Sequence, residues 1–262
     1  MGAQSFEAGD LKALGRIHGS EAIPLAVAAV RRAGIETVSL DLIYGIPGQD
    51  LASWRRTVSA ALILAADHVS CYALSFEPGT PLAADLDAGR VLEMPEELQR
   101  ACYYEAVRTF TRASYRHYEL SNFGQPESLC LHNITYWLNG SYLGIGPAAA
   151  SYVQGERRTN TRNTSDYILS ISRGQSPVAC SERLAGRKAM AEEMMLGLRI
   201  VKGVDREKFR DRWGVDPSEA FPEVIGRFIE IGALWLGDRY LRLARDHLFT
   251  ADTVLAAIVA AG

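Results

Sequence analysis

Apolar positions along the first ~120 residues switch repeatedly between a helical and an extended period, the pattern of successive βαβ units. Asp10 to Gly15 reads as a short helix. A second helix starts at Ser20-Glu21, turns Ile23, Ala26, Val27 and Val30 to one side, and ends at Gly34. Thr37–Tyr44 is a mostly apolar run bounded by turn residues, which predicts a buried strand. Asp50 caps a helix through Ala65, with Trp54, Val58, Leu62 and Ile63 spaced for one face. Val69–Phe76 is the next strand and Glu77-Pro78-Gly79-Thr80-Pro81 the turn after it. A helix opens near Pro95 and runs to about Ala113, and Tyr115–Leu120 is a further short strand. Crossovers of this kind predict an α/β fold with a parallel sheet, whose ligands gather at the carboxyl ends of the strands.

The pattern then changes. Residues 122–180 are rich in Gly, Asn, Ser and Thr and predict a few short strands and one helix near Ser165–Ser172. Helical periodicity returns at roughly 184–199, 205–213, 217–231 and 247–260. Between the last two, Leu234–Leu243 reads as a hairpin around Gly237-Asp238. Helices followed by a hairpin resemble a winged helix. Three segments are expected: 1–125, a loop-rich β segment over 126–180, and a mainly helical winged-helix-like domain over 181–262.

Composition narrows the function classes. A 48% apolar and 23% charged chain of 262 residues is an ordinary globular protein with room for one large or two modest domains. A net charge of −3 with no basic block gives no global pull toward nucleic acid, and membrane contact is expected to be peripheral at most. No apolar run has the length of a bilayer span, and Met1 to Phe6 has no signal-peptide layout, so a cytoplasmic location is expected. Cys71, Cys102, Cys130 and Cys180 form no C-x-x-C pair and are expected to be reduced thiols.

Candidate chemistry starts at Asp41, a lone carboxylate inside the apolar run before Gly45-Ile46-Pro47-Gly48-Gln49. Burying an unpaired carboxylate is costly, so Asp41 should have a partner or a role, or else cap the following turn. Glu192 and Glu193 are adjacent, but helix neighbours do not face each other, and a solvated helix face is the expected reading. His18, His68, His117 and His247 have no partners at metal-ligand spacing and read as core or surface histidines. Arg206, Lys208, Arg210 and Arg212 alternate with Asp205, Glu207 and Asp211, which weakens a phosphate-binding footprint.

Eight runs follow one another along the chain: Gly2–Phe6, Leu14–His18, Asp41–Gln49, Glu77–Pro81, Tyr118–Phe123, His132–Trp137, Tyr142–Pro147 and Met195–Arg199. Together they resemble the radical S-adenosylmethionine family of oxygen-independent coproporphyrinogen III oxidase-like proteins, and most of all its heme chaperone branch, HemW. The resemblance implies a partial (β/α) radical SAM barrel followed by the winged-helix-like domain. Family members carry C-x-x-x-C-x-x-C upstream of the point where this chain begins, and those thiolates hold a [4Fe–4S] cluster. No such triplet occurs here, so the chain is read as about the C-terminal two thirds of a member and is expected to be inactive alone as a radical enzyme.

By the same resemblance, Gln4, Arg16 and Asp41 match positions that contact S-adenosylmethionine, and Ser75 one that contacts it through backbone. The residue types suit the task. Amide and carboxylate oxygens can hold ribose hydroxyls, and a guanidinium can grip the methionine carboxylate. Taken alone, Arg16 reads as a cation at a helix end. His132-Asn133-x-x-Tyr136-Trp137 resembles a motif linked to heme binding. His132 would ligate heme iron, and Tyr136 and Trp137 would supply flat apolar area. The alternative is a packed aromatic loop with a hydrogen-bonded histidine. Cys130 reads as a second iron ligand or as a structural thiol. Gly144-x-Gly146 suggests close backbone approach to a ligand, and Ala148-Ala149-Ala150 stands where family members often have Gly-Ala-His, which removes a side-chain ligand at 150. Three functions follow: a chaperone that delivers heme to an acceptor protein, an oxygen-independent coproporphyrinogen III oxidase, or a non-enzymatic winged-helix interaction module.

Overall fold

The computed structural model describes residues 1–262 as two units, Met1–Cys130 and Leu131–Gly262, where the sequence suggested three segments. The first runs β1 (Gly2–Gln4), α1 (Ala8–Ala13), α2 (Ala22–Arg32), β2 (Ser39–Tyr44), α3 (Leu51–Ile63), β3 (His68–Ala73), α4 (Pro81–Asp87), α5 (Glu96–Arg112), β4 (Arg116–Glu119) and β5 (Asn122–Gly124). Asp50 starts α3 with a reciprocal cap: it accepts from Ser53 N at 2.7 Å while Ser53 Oγ accepts from Asp50 N at 3.0 Å. Thr80 caps α4, with Pro81 in the first helical position.

The strands form one sheet in the order β1-β2-β3-β5-β4. β1, β2 and β3 are parallel, but β5 runs antiparallel to both β3 and β4. The expectation of an all-parallel sheet therefore fails after β3. Only Leu120-Ser121 separates β4 from β5, and two residues can close a hairpin but not a crossover.

One face of this sheet is apolar. Leu40, Leu42, Val69 and Phe123 are fully buried, as are Trp54 of α3 and Phe110 of α5. Trp54 Nε1 donates to the Cys102 carbonyl at 2.7 Å, tying the two helices together. The opposite face is polar. The register aligns Gly2 with Asp41, Asp41 with Ser70, Ser70 with Asn122, and Asn122 with Glu119. Cross-strand partners share a face, so these five residues form a polar row across the sheet.

The second unit runs α6 (Leu131–Trp137), β6 (Ala150–Val153), β7 (Glu156–Asn160), α7 (Thr164–Ser172), β8 (Val178–Glu182), α8 (Gly186–Gly197), β9 (Val204–Asp205), α9 (Arg206–Trp213), α10 (Pro217–Ala220), α11 (Pro222–Glu230), β10 (Leu234–Leu236), β11 (Tyr240–Leu243) and α12 (Ala251–Ala260). Two three-stranded antiparallel sheets result, β6-β7-β8 and β10-β11-β9. The second, with α9 to α11, gives the winged-helix arrangement. The helix expected over 217–231 is split at Phe221 (φ −132°, ψ 57°), because Pro222 disfavours helical geometry in the residue before it. The helix expected from 247 starts at Ala251, after a 3-10 turn at Arg245–His247. Phe209, Phe221, Ile225, Leu241, Met194 and Leu198 are fully buried in this unit. No helix of the protein is long and apolar enough to cross a membrane.

Candidate functional site

Asp41 is not the buried carboxylate that the apolar run suggested. β2 alternates, with Leu40, Leu42 and Tyr44 buried and Ser39, Asp41 and Ile43 half-exposed, and the Asp41 side chain is 39% exposed. The strand is half-buried rather than fully buried, so the carboxylate escapes the desolvation cost. Its Oδ2 lies 3.8 Å from the Met1 amino group.

Gln4 and Arg16 reach the same face. A Cβ built on Gly2, which pairs with Asp41, would lie 2.7 Å from Gln4 Nε2 and 4.0 Å from Arg16 Nη2. The bare Gly2 thus lets the Gln4 amide lie over it, and a larger residue there would push that amide aside. Gln4 takes φ +66° at a register shift in β1, and this irregularity turns its side chain back along the strand. Arg16 follows the C-cap of α1, and its guanidinium turns toward Gly2 rather than to the last helix carbonyls. Ser75 is exposed two residues beyond β3, where Leu74 N donates to Tyr44 O at 2.8 Å. Further along the polar row, Asn122 Nδ2 donates to Glu119, while Asn122 Oδ1 is buried without a donor.

A buried network that the sequence did not reveal fixes this end of the sheet. Asp10 Oδ2 accepts from Ser5 Oγ (2.7 Å) and Gln49 Nε2 (2.8 Å), and Gln49 Oε1 accepts from Gly45 N (2.9 Å). Ser5 Oγ and Thr57 Oγ1 lie 3.0 Å apart, and Thr57 Oγ1 also accepts from Phe6 N. These bonds lock the residues after β1 to the turn after β2. Next to Asp41 in β2, Ser39 Oγ contacts His68 Nδ1, and His68 Nε2 contacts the Tyr118 hydroxyl, both at 2.8 Å. Burial holds the His68 imidazole below its ordinary pKa, with Asp41 pulling the other way.

In the second unit, the His132–Trp137 run is helical, not a loop. A four-residue spacing on α6 puts His132 and Tyr136 on one side, and a 2.6 Å hydrogen bond joins the Tyr136 hydroxyl to His132 Nε2. The His132 ring is exposed. Tyr136 and Trp137 are half-buried and line a cavity of about 330 Å³ with Tyr142, Tyr152, Arg157 and Leu196. Tyr136 and Tyr142 meet edge to face at 4.3 Å between ring centres. The Arg157 guanidinium at this cavity is 2.7 Å from Glu192 Oε1. His132 itself does not line the cavity. Sequence reading also missed Tyr142 and Arg199, although each bounds a run singled out there.

Other expectations change. Gly144 does not leave room for a ligand: a Cβ there would lie 2.1 Å from the Ala150 carbonyl oxygen, so its own chain fills the space. Glu192 and Glu193 do part company, but not into solvent. Glu192 pairs with Arg157, while Glu193 accepts from Trp213 Nε1 at 3.0 Å and pairs with Arg212 at 2.9 Å. Arg206 and Arg210 both bind the Asp216 carboxylate, at 3.0 and 2.7 Å, leaving these guanidinium groups internally paired. The residues present do not fit an iron–sulfur cluster. No group of three His, Cys, Asp or Glu is placed to hold a metal ion. Cys71 and Cys102 are buried, and burial pushes both thiols up, Cys102 to about 11. Cys130 is half-buried and Cys180 lies in the other unit.

Comparison with known proteins agrees with this architecture. A family profile described as the HemN C-terminal domain matches residues 184–246. The heme chaperone HemW of Bacillus subtilis is 32% identical over 260 residues, 99% of this chain and 68% of that protein. The heme chaperone HemW of Synechocystis is 36% identical over 206 residues, 78% of this chain and 50% of its own. The solved structure of coproporphyrinogen III oxidase (HemN) from Escherichia coli, described as a radical SAM enzyme, superposes with a TM-score of 0.79 at 17% identity, over 98% of this chain and 63% of that one. The fold is thus that of a HemN-type radical SAM protein, and the chain spans between 50% and 68% of the length of the two chaperones.

Proposed function

The chain belongs to the heme chaperone HemW family, and from that premise we propose that it binds heme through α6 and its adjoining cavity and passes it to an acceptor protein. The observation that carries this reading is the convergence of Tyr136, Trp137, Tyr142 and Tyr152 on one cavity, directly beside the exposed His132. Aromatic walls suit a flat macrocycle, and an imidazole is a common axial ligand for its iron. Titration with heme, followed by Soret absorbance, tests it. The expected result is saturable binding that weakens about tenfold or more in His132→Ala, the scale of losing one good metal contact. Equal, unsaturable uptake by both proteins would sink the site.

The polar face of the first unit is proposed to hold S-adenosylmethionine. Asp41 and Gln4 would take ribose hydroxyls, Arg16 the methionine carboxylate, and Ser75 would contribute backbone. When bound, that cofactor supplies a reactive sulfonium. The support is geometric: Gln4 and Arg16 both reach the Gly2 side of β1, on the face that carries Asp41. Isothermal titration with S-adenosylmethionine tests it. Asp41→Ala should weaken binding about tenfold, and unchanged binding would remove Asp41 from the site.

A further inference from the structure

We infer that Arg199 and the indole N–H of Trp137 form a carboxylate subsite beside the aromatic cavity, so that its ligand is a planar ring carrying an acid group. This rests on the porphyrin reading above and adds the part of the ligand that is recognised by charge. Trp137 Nε1 and Arg199 Nε are both buried and have no hydrogen-bond partner in the protein. The Arg199 guanidinium carbon sits 4.5 Å from the centre of the Trp137 ring, so the two unmet donors belong to one stack. Unpaired buried donors are rare in folded proteins because each forfeits its bonds to water. Two in the same place point to an acceptor supplied from outside.

The neighbouring charges say which acceptor. Arg157, the cation that lines the cavity, is already taken, with Glu192 at 2.7 Å and Glu182 at 3.8 Å. Arg199 has only a 4.0 Å approach to Asp252, whose side chain is 94% exposed and solvated. Arg199 therefore keeps most of its charge uncompensated beside an apolar wall. A carboxylate answers both donors at once, since it offers about four lone-pair sites and matches the guanidinium fork. The cavity of about 330 Å³, walled by Tyr136, Trp137, Tyr142 and Tyr152, accepts the flat part of the same ligand. Arg199 closes the Met195–Arg199 run, just past the end of α8 and its C-cap Leu198, and Leu196 of the same run lines the cavity.

The test compares iron-free protoporphyrin IX, which has free propionates, with its dimethyl ester. Both are titrated into the full chain and into Trp137→Phe and Arg199→Gln, with binding read by porphyrin fluorescence and folding by circular dichroism. The wild type should bind the acid about tenfold or more tightly than the ester, the scale of a charge-assisted hydrogen bond. In both variants that ratio should fall toward one, with the ester's affinity in the same variant as the reference for any change in the cavity wall. Trp137→Phe removes the donor together with part of the indole face, and the packing loss, which acid and ester share, cancels in the ratio between them. Equal affinity of the wild type for acid and ester, or a ratio surviving in both variants, overturns the carboxylate subsite and leaves porphyrin binding standing. Failure of the wild type to bind either porphyrin overturns the subsite together with the reading beneath it.

Discussion

Single residues in the first unit carry more than their exposure suggests. Asp10 is 6% exposed and accepts from two side chains, so Asp10→Ala strands the Gln49 amide nitrogen inside the protein and leaves the Ser5 hydroxyl only Thr57 as a side-chain partner. We expect a loss of about 2–4 kcal/mol in urea unfolding. Because Gln49 also holds the Gly45 amide, the variant should weaken S-adenosylmethionine binding without touching any proposed contact. His68 makes a separate, pH-dependent prediction. Its folded pKa lies below the ordinary value because it is buried, so the unfolded chain takes up the proton first as pH falls. Stability should drop as pH falls below about 6.5 and through the lower folded value. Urea midpoints measured from about pH 7.5 to about pH 5.5 should show a shallower decline in His68→Gln, and parallel declines would exclude His68 as the titrating group.

At the scale of elements, Asp216 is the joint of the winged-helix part. It caps α10 through Ser218 and binds Arg206 and Arg210 of α9. Burial pushes its carboxyl up, but the Ser218 hydrogen bonds and Arg206 outweigh that and hold it below the usual carboxylate range. The stabilisation is therefore complete above the unfolded pKa and is lost as pH falls through the folded one. Asp216→Asn leaves two guanidinium groups without their anion and should cost about 2–4 kcal/mol at neutral pH, with the gap to wild type closing in acid. Elements were the most legible level in the sequence. Asp50, Thr37–Tyr44, Pro95 and Gly237-Asp238 all marked real starts, strands or turns, because caps and breakers act locally. What stayed hidden was set by distance in the chain. Alternation along β2 could not be told from full burial by an apolar run alone, which misplaced Asp41. The direction of β5 depended on the two-residue turn Leu120-Ser121, whose first residue read as the end of a strand, and β5 itself fell in the stretch read as loop-rich. The helix at His132–Trp137 has an aromatic-rich pattern that fits either state. Gln4 and Arg16 stood out only through the family resemblance, since nothing local in a glutamine or a surface arginine says which face it will occupy.

For the whole molecule, the proposed cofactor face lies in Met1–Cys130 and the proposed porphyrin cavity in Leu131–Gly262. Amide hydrogen exchange should register them apart. S-adenosylmethionine should slow exchange around Gly2–Gln4 and Ser39–Tyr44, and protoporphyrin IX around Leu131–Trp137 and Ala150–Val153. Either ligand protecting the other set of segments to the same degree would contradict two separate sites. The Tyr136–His132 hydrogen bond has one more consequence. Were His132 to hold the porphyrin iron through Nε2, as proposed, the phenol would have to be displaced first, so capture would be opposed by a competitor within the protein. On departure of the metal, the same phenol would be in place to reclaim the nitrogen. A site made this way would grip less firmly than a bare imidazole, which suits the proposed handover of heme better than permanent retention.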